Sequence, residues 1–453
     1  MEINTGNTAW LLVSTALVMF MLPGLALFYG GLVRAKNVLS TIMHSFFGLA
    51  IVTVVWIVLG FSLAFAPSLG GLGIVGGFDF VLFNGVGMEP NPDYAEGVPF
   101  VLFAAFQMMF AAITPALISG AFAERKRFGA FVLFTVLWSI FVYSPMAHMV
   151  WGGGLLGPAG LGALDFAGGT VVHIASGVSA LVVALVLGKR VAGHHVEPHD
   201  VPMTVLGAGI LWFGWFGFNA GSALGANGLA AQAFIVTTAA ASAGMLAWVL
   251  TSYFKTGKVS VVGAAAGSIA GLVAITPASG FVSVGGALLI GLAAGGACYA
   301  ATLLRDRLRI DDSLDVFAVH GVGGMLGAVG VGVFAVAAVG GVSGLVEGNV
   351  GQLGIQVVAV LATIAFSAVA TFVIIKFVEL VLGLRVDPDK EEAGLDISVH
   401  GETAYVPWSG GASAFAAMAA SASGSMKVDP PAPVTTAAPL DPRNLPATEA
   451  KPV

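Results

Sequence analysis

Two histidines stand inside apolar stretches that are long enough to cross a membrane. His173 lies in FAGGTVVHIASGVSALVVALVLG, and His320 lies in DVFAVHGVGGMLGAVGVGVFA. Each stretch has one acid near its start, Asp165 or Asp315, and no other ionisable side chain. Ionisable groups are costly in hydrocarbon and mark ion or proton routes there, and an imidazole exchanges protons near neutral pH. The two residues therefore predict a path for a small cation that can give up a proton; the alternative is a pair of buried histidines bonded to helix carbonyls.

The composition places these histidines in a membrane protein. Charged residues make up 9% of the chain and hydrophobic residues 57%, whereas a soluble domain has about 25% charged residues. The single cysteine, Cys298, excludes a disulfide framework within the chain. No cluster of side chains has metal-ligand spacing, and no nucleophile motif or phosphate-binding loop is present. We therefore predict no metal, no cofactor and no enzymatic activity.

Apolar runs of about 20 residues predict transmembrane helices. Eleven such runs are present, and each must be helical because an open sheet leaves backbone groups unsatisfied in lipid. The predicted fold is an all-α polytopic membrane protein with eleven transmembrane helices, the first of which is expected to be retained because no basic residue precedes it. The predicted spans are Trp10–Val33, Thr41–Ala66, Val98–Phe122, Phe128–Met149, Phe166–Gly188, Val201–Asn219, Leu229–Tyr253, Val259–Pro277, Val282–Leu304, Val316–Val339 and Leu353–Gly383.

Basic residues alternate along the connections between these spans. The odd-numbered connections carry Lys and Arg, and the even-numbered ones, including the long loop 67–97, carry none. The positive-inside rule places the odd connections in the cytoplasm, so the N-terminus is predicted outside and the C-terminus inside. The basic residues concerned are Arg34, Lys36, Arg125, Lys126, Arg127, Lys189, Arg190, Lys255, Lys258, Arg305, Arg307 and Arg309.

The positions of the two histidines indicate an internal repeat. Eleven spans divide as five, five and one, and His173 and His320 fall in the fifth span of each half. Two units with an odd number of spans must have opposite topology when they follow one another, which is the arrangement of an inverted repeat. We predict two inverted five-helix repeats and a final helix.

Aromatic residues cluster toward the predicted outer surface. In WFGWFGFNAGS, Trp215, Phe218 and Ser222 stand at i, i+3 and i+7 and share one helix face. Because aromatic faces attract desolvated cations, a row of rings that ends in a hydroxyl predicts a cation vestibule. Taken singly, each ring could also be core packing or part of an interfacial belt. Three further aromatic residues lie toward the same surface: Phe106, Phe110 and Trp151.

Asp165 precedes His173 by eight residues, which is about 12 Å along a helix. That distance excludes a direct bond between the two side chains. Gly168 and Gly169 follow the acid, and a carboxylate at a helix start can cap free amides. The sequence leaves open whether Asp165 caps this helix or contacts the substrate.

The chain after the last span divides into two parts. The segment DPDKEEAGLDISVHGETAYVPW is polar, and we expect it to be structured, to pack against the basic loops and to couple subunits. The Ala/Pro-rich remainder cannot bury enough apolar surface to fold. The predicted organisation is therefore a transmembrane domain over 1–383, a cytoplasmic C-terminal segment over 384–408 and a disordered tail over 409–453.

From about Trp10 to Tyr405 the chain resembles the ammonium transporter family (Amt/Mep/Rh), in its bacterial Amt-like form. The resemblance depends on motifs that occur in the family's order and at its spacing. They are PGLALFYGGLVRAKNVLST, GAFAERKRF, HMVWGGGLL, ALDFAGGTVVH, WFGFNAGSAL, DVFAVHGVGG and GLDISVHGETAY.

The resemblance implies roles for the residues singled out above. Four of them would form an outer recruitment site: Phe106, Phe110, Trp151 and Ser222. Phe110 and Phe218 would be a stacked gate, with His173, His320 and Trp215 along the pore and Asp165 as the acid required for transport. The family forms homotrimers with one pore per subunit in the cell membrane, and its cytoplasmic face commonly docks the nitrogen-signalling protein PII. By this resemblance the chain would carry ammonium, which would lose a proton in a dry pore; whether net ammonium or ammonia crosses stays open. The alternative is an ammonium sensor that signals through its cytoplasmic C-terminus.

Overall fold

The computed structural model describes residues 2–193 and 196–405. Within these ranges the regular secondary structure is helical, and the only β-structure consists of isolated β-bridges. Eleven apolar helices follow one another: α1 (Thr5–Leu32), α2 (Ala35–Phe65), α3 (Phe100–Phe122), α4 (Phe128–Val150), α5 (Gly169–Leu187), α6 (Val201–Ala220), α7 (Gly228–Thr256), α8 (Val261–Ile275), α9 (Val284–Leu308), α10 (Phe317–Phe334) and α11 (Val350–Leu382). All of them except α8 are long and apolar enough to cross a membrane. The prediction of an all-helical membrane protein is confirmed.

Helix α8 is shorter than the predicted span Val259–Pro277. Its 15 residues rise about 22 Å, which is less than the hydrocarbon core of about 30 Å. The helix ends at Ile275, two residues before Pro277, because proline has no backbone N–H to continue the helical hydrogen bonds. The chain continues in buried turns to Gly280, and non-helical backbone is tolerated at membrane depth where protein surrounds it.

Polar side chains define where several helices begin. Each of these residues precedes a helix and accepts a hydrogen bond from a backbone N–H in the first turn, which satisfies one of the four unpaired amides there. The capping residues of α1, α6, α7, α8, α9 and α11 are Asn4, Asp200, Asn227, Ser260, Ser283 and Asn349.

Helices from the first five and the second five pack in pairs, α1 against α6 and α5 against α10. The α5–α10 crossing depends on glycine, because a Cβ atom on Gly177 would lie 2.2 Å from the backbone nitrogen of Gly321. A similar approach joins α8 to α7, where a Cβ atom on Gly271 would lie 2.2 Å from the carbonyl oxygen of Ala240. Small residues permit such contacts between membrane helices. The α5–α10 crossing brings His173 and His320 together, since each lies within one turn of it.

A buried ionic cluster joins the loops at the predicted cytoplasmic side. Glu124 follows α3 in a left-handed conformation, with φ of 72°. Its Oε1 atom accepts hydrogen bonds from Arg34 Nε at 2.9 Å and Asn37 Nδ2 at 2.8 Å, and its Oε2 atom accepts one from Arg190 Nη1 at 2.7 Å. Arg190 also pairs with Asp311, at 2.8 Å from Nη2 to Oδ1. Charges at this depth are stable only when paired and hydrogen-bonded in this way.

The segment after α11 packs against these loops within the same chain. It contains a short α-helix, α12 (Pro388–Ala393), and a π-helical turn, Asp396–His400. Arg127 N–H donates to the carbonyl of Leu384 at 2.8 Å, and the Asp396 carboxylate accepts from the backbone amides of Leu39 and Ser40 at the start of α2. The predicted disordered tail over 409–453 lies outside the described residues.

Candidate ion pathway

An aromatic cavity opens at the predicted outer side of the helix bundle. Its walls include Phe110, Trp151 and Ser222, as the sequence predicts. The Ser222 hydroxyl donates to the carbonyl of Phe218 at 2.8 Å, so the lone pairs of its oxygen can accept a hydrogen bond from a solute. Trp151 Nε1 donates to the carbonyl of Asp165 at 2.9 Å. The indole donor is thus occupied, and the cavity presents acceptors and ring faces to a cation.

Two stacked phenyl rings close the floor of this cavity. The ring centroids of Phe110 and Phe218 are 4.2 Å apart, with an interplanar angle of 29°. Phe106, a predicted member of the outer site, does not line the cavity wall. It is fully buried behind Phe110 and meets it edge-on, with centroids 4.9 Å apart. The structure therefore places Phe106 behind the two stacked rings rather than in contact with the cavity.

The two histidines meet below the rings. His173 Nδ1 and His320 Nδ1 are 3.2 Å apart, so one nitrogen donates to the other, and which ring carries the proton depends on the tautomers. His173 Nε2 is buried and has no hydrogen-bond partner among the described residues. The Trp215 ring stacks on His173 with centroids 5.5 Å apart, and its Nε1 donates to Thr276 Oγ1 at 2.9 Å, which fixes the ring.

A narrow cavity connects Phe218 with the histidine pair. Apart from the imidazoles and Trp215, its walls are apolar, so it favours neutral solutes over charged ones. The remaining lining residues are Met21, Leu25, Phe28, Ile113, Leu117, Val172, Leu211 and Ile269.

A wider cavity lies on the other side of His320. It has a volume of ≈ 280 Å³, and its walls include Tyr29, Arg190, Arg305 and Asp315. His320 lines this cavity as well as the narrow one. An outer cavity, two stacked rings, a histidine pair and an inner cavity thus follow one another within a single chain.

Both histidines lie in π-helical turns at the start of their helices, Gly169–Ile174 in α5 and Phe317–Val322 in α10. Such turns are rare and occur frequently at functional sites. A single-sequence pattern does not reveal them, because one extra residue in a turn leaves the apolar composition unchanged.

Asp165 caps the start of α5. Its Oδ1 atom accepts from the backbone amides of Gly168 at 2.7 Å and Gly169 at 2.6 Å, and its Oδ2 atom accepts from the Thr170 amide at 2.8 Å and from the Thr170 hydroxyl. Gly168 has φ of 116°, which favours glycine at this turn. The geometry supports the capping role that the sequence left open, and Asp165 does not line the outer cavity.

The corresponding acid of α10 is Asp312 and not Asp315. Asp312 Oδ2 accepts from the Phe317 amide at 2.7 Å, and Asp312 precedes His320 by eight residues, as Asp165 precedes His173. Asp315 instead pairs with Arg305 at 2.8 Å and lines the inner cavity. The shared spacing of eight is the sequence signal that would have identified Asp312.

Charged groups at the inner cavity have shifted pKa values. Burial raises the pKa of Asp315 to about 7, and the nearby Arg305 opposes this shift. Burial alone would also raise the pKa of Glu124, but Arg190 and Arg34 outweigh it and hold that pKa below its usual value. The inner cavity therefore contains one carboxyl that titrates near neutral pH, while Glu124 in the ionic cluster beside the cavity stays ionised.

The chain is similar to known proteins over most of its length. The model of the Ammonium Transporter Family matches residues 9–405. The ammonium transporter of Bacillus subtilis is 51% identical over 88% of this chain and 98% of its own length. The ammonium transporter Amt1 of Archaeoglobus fulgidus is 47% identical over 89% of this chain and 100% of its own length.

Solved structures show the same fold. Mep2 of Saccharomyces cerevisiae has a TM-score of 0.80 and 38% identity, covering 86% of this chain and 91% of Mep2. A structure described as a sensor Amt protein has a TM-score of 0.81 and 30% identity, covering 87% of this chain and 98% of that chain. The relatives named as transporters are more similar in sequence than the sensor, so the sensor alternative is not favoured.

Proposed function

The chain belongs to the ammonium transporter family, and from this membership we propose that it conducts ammonium through a pore within each subunit, with loss of a proton on the way. The observation that carries the proposal is the His173–His320 pair, with its nitrogens 3.2 Å apart. The pair lies between an outer aromatic cavity and an inner polar one. A pair of imidazoles at this point can take up and return protons.

Selectivity follows from the order of these features. In the outer cavity the faces of Phe110 and Trp151 attract a cation, and Ser222 accepts a hydrogen bond from it. These interactions bind potassium and ammonium alike, since both have one positive charge and similar size. The apolar region below Phe218 disfavours any charged solute. Ammonium can cross as ammonia after it loses a proton, whereas potassium has no neutral form.

The histidine pair would handle that proton as one unit. When two titratable groups interact this closely, an added proton belongs to the pair. Trp215 and its bond to Thr276 hold His173 in place, and Asp165 fixes the turn that carries it. Whether the proton returns to the ammonia along the pair decides between net ammonium and net ammonia transport.

The architecture that we propose follows the family. Helix α8 would complete eleven spans, with the N-terminus outside, the C-terminus inside and two inverted five-helix repeats. Three subunits would assemble in the cell membrane, each with its own pore. The inner cavity and the C-terminal segment would form the docking surface for a PII-type protein, because both lie beside the predicted cytoplasmic loops.

Currents from purified protein in liposomes under an ammonium gradient test this function. We expect wild-type protein to give ammonium-dependent current and the His173→Ala/His320→Ala double variant to lose it, because the apolar region then has no group that exchanges protons. Size-exclusion chromatography of both proteins controls for assembly. Wild-type current and selectivity in the double variant would show that the histidines are packing residues.

A further inference from the structure

We propose that Asp93 and Gln107 complete the outer cation site, so that the site binds ammonium through acceptors from a loop and from α3 as well as through Ser222. This inference rests on the proposed function, because it names two further residues of the same entrance. Both side chains line the outer cavity together with Phe110, Trp151 and Ser222. Neither residue stood out in the sequence, because Asp93 lies in an irregular loop and Gln107 is a single amide in an apolar helix.

The loop between α2 and α3 holds Asp93 at the cavity. The neighbouring Tyr94 ring stacks on Phe103, with centroids 5.5 Å apart and an interplanar angle of 18°. The Tyr94 hydroxyl donates to the carbonyl of Phe65, and the Asp93 amide donates to Asn91 Oδ1 at 3.0 Å. The backbone on both sides of Asp93 is therefore anchored, and its exposed carboxylate stays at the cavity wall.

Without Asp93 and Gln107, the side chains of the outer site would offer fewer hydrogen-bond acceptors than an ammonium ion has donors. An ammonium ion has four N–H donors. Ser222 Oγ can accept one of them, while Trp151 Nε1 is a donor and is already bonded to the carbonyl of Asp165. Gln107 Oε1 is buried, with no hydrogen-bond partner among the described residues. A buried acceptor without a partner carries a free-energy cost. Rotation of the Gln107 amide toward the cavity that it lines would let a bound cation donate to Oε1 and remove this cost.

Charge favours a cation at the same place. Asp93 is the only charged side chain among the described residues that line the outer cavity. A carboxylate at the entrance raises the local concentration of cations, and the effect weakens as ionic strength rises. Asp93 would thus act on capture of the ion, whereas Phe218 and the histidines act on its passage.

The proposal is tested by the half-saturating ammonium concentration of currents in liposomes, measured at low and high ionic strength. For Asp93→Asn we expect this concentration to rise about three- to fivefold at low ionic strength and less at high ionic strength, as for one exposed charge near the ion. The maximal current should change less than the half-saturating concentration. Asp93→Glu keeps the charge and should restore most of the wild-type value.

The matched control is Asp79→Asn, which removes an exposed carboxylate of the same loop that does not line the cavity and should leave the half-saturating concentration unchanged. Gln107→Met keeps the length of the side chain and removes the acceptor, so it should raise that concentration at both ionic strengths. Equal values for Asp93→Asn and wild type at low ionic strength, or equal shifts for Asp93→Asn and Asp79→Asn, would overturn the site. If wild-type protein gave no ammonium-dependent current, the proposed function itself would be overturned.

Discussion

At the start of α5, the Asp165 carboxylate accepts hydrogen bonds from four backbone amides and one hydroxyl. At the start of α10, Asp312 accepts from the Phe317 amide, while its Oδ1 atom has no partner among the described residues. Both acids precede a π-helical turn that carries a histidine. The acid of α5 is thus stabilised by backbone dipoles, and the acid of α10 lies beside charged side chains such as Arg305. Two acids at the same spacing from a histidine are therefore stabilised differently, one mainly by backbone amides and the other partly by side-chain charges.

The largest effect is expected where the two helices cross. In Gly177→Ala the new methyl group would overlap the backbone of Gly321, and overpacking of this kind costs about 3 kcal/mol of unfolding free energy. We expect ammonium current to be lost, because the histidines would be pushed apart. The control is Gly209→Ala on α6, where a Cβ atom meets nothing within 4 Å and helix propensity favours alanine by about 1 kcal/mol. For both variants we would measure the unfolding free energy in detergent and the ammonium current in liposomes. Equal stability and equal current in the two variants would contradict the close crossing.

The second prediction compares the two acids directly. Asp165→Asn keeps the shape but turns an amide donor toward backbone donors, and unsatisfied buried groups cost about 2 kcal/mol or more in unfolding free energy. Asp312→Asn can keep the bond from the Phe317 amide if its side-chain oxygen takes the place of Asp312 Oδ2, and it should cost about half as much. We expect Asp165→Asn to abolish most of the current and Asp312→Asn to reduce it. Similar losses in both variants would mean that the two helix starts are equivalent after all.

The smallest expected effect is on how the stability of the protein depends on pH. The Asp315 pKa is raised to about 7 in the folded protein, whereas an unfolded aspartate has a pKa of about 3.9. Between these values the folded state binds more protons than the unfolded state, so stability falls as pH rises through this window. The unfolding temperature in detergent should therefore fall less from pH 5 to pH 8 in Asp315→Asn than in wild type. A parallel pH dependence in both proteins would show that Asp315 is ionised throughout.

The sequence was informative where hydrophobicity and charge determine the outcome. Runs of apolar residues identified helices at all eleven predicted places, because lipid permits little else. The predicted ends of these helices were less accurate. Pro277 shortened α8, and the structure extends α1 to Thr5 through the cap at Asn4. Such ends depend on single side chains, and an average over about 20 residues does not resolve them.

Within the candidate site, the sequence predicted which residues take part better than it predicted where each side chain packs. Phe110, Phe218, Trp215 and the histidines lie together. Trp215 and Phe218 do so because residues three apart share a helix face, and helix packing brings the other three to them. Phe106 lies one turn from Phe110 but packs behind it, since the direction of a side chain depends on the neighbouring helix. Asp312 and Gln107 were missed for a related reason: the partners that give them a role come from the three-dimensional fold.

The contact between Phe110 and Phe218 sets a timescale. Ring centroids 4.2 Å apart leave no gap between the rings for even a small molecule, so a solute crosses only when a side chain swings away. Movements of single side chains are faster than the domain motions of microseconds to milliseconds by which alternating-access carriers expose a site. Passage through this chain would accordingly follow the brief, frequent openings of two rings rather than a slow cycle of the whole molecule.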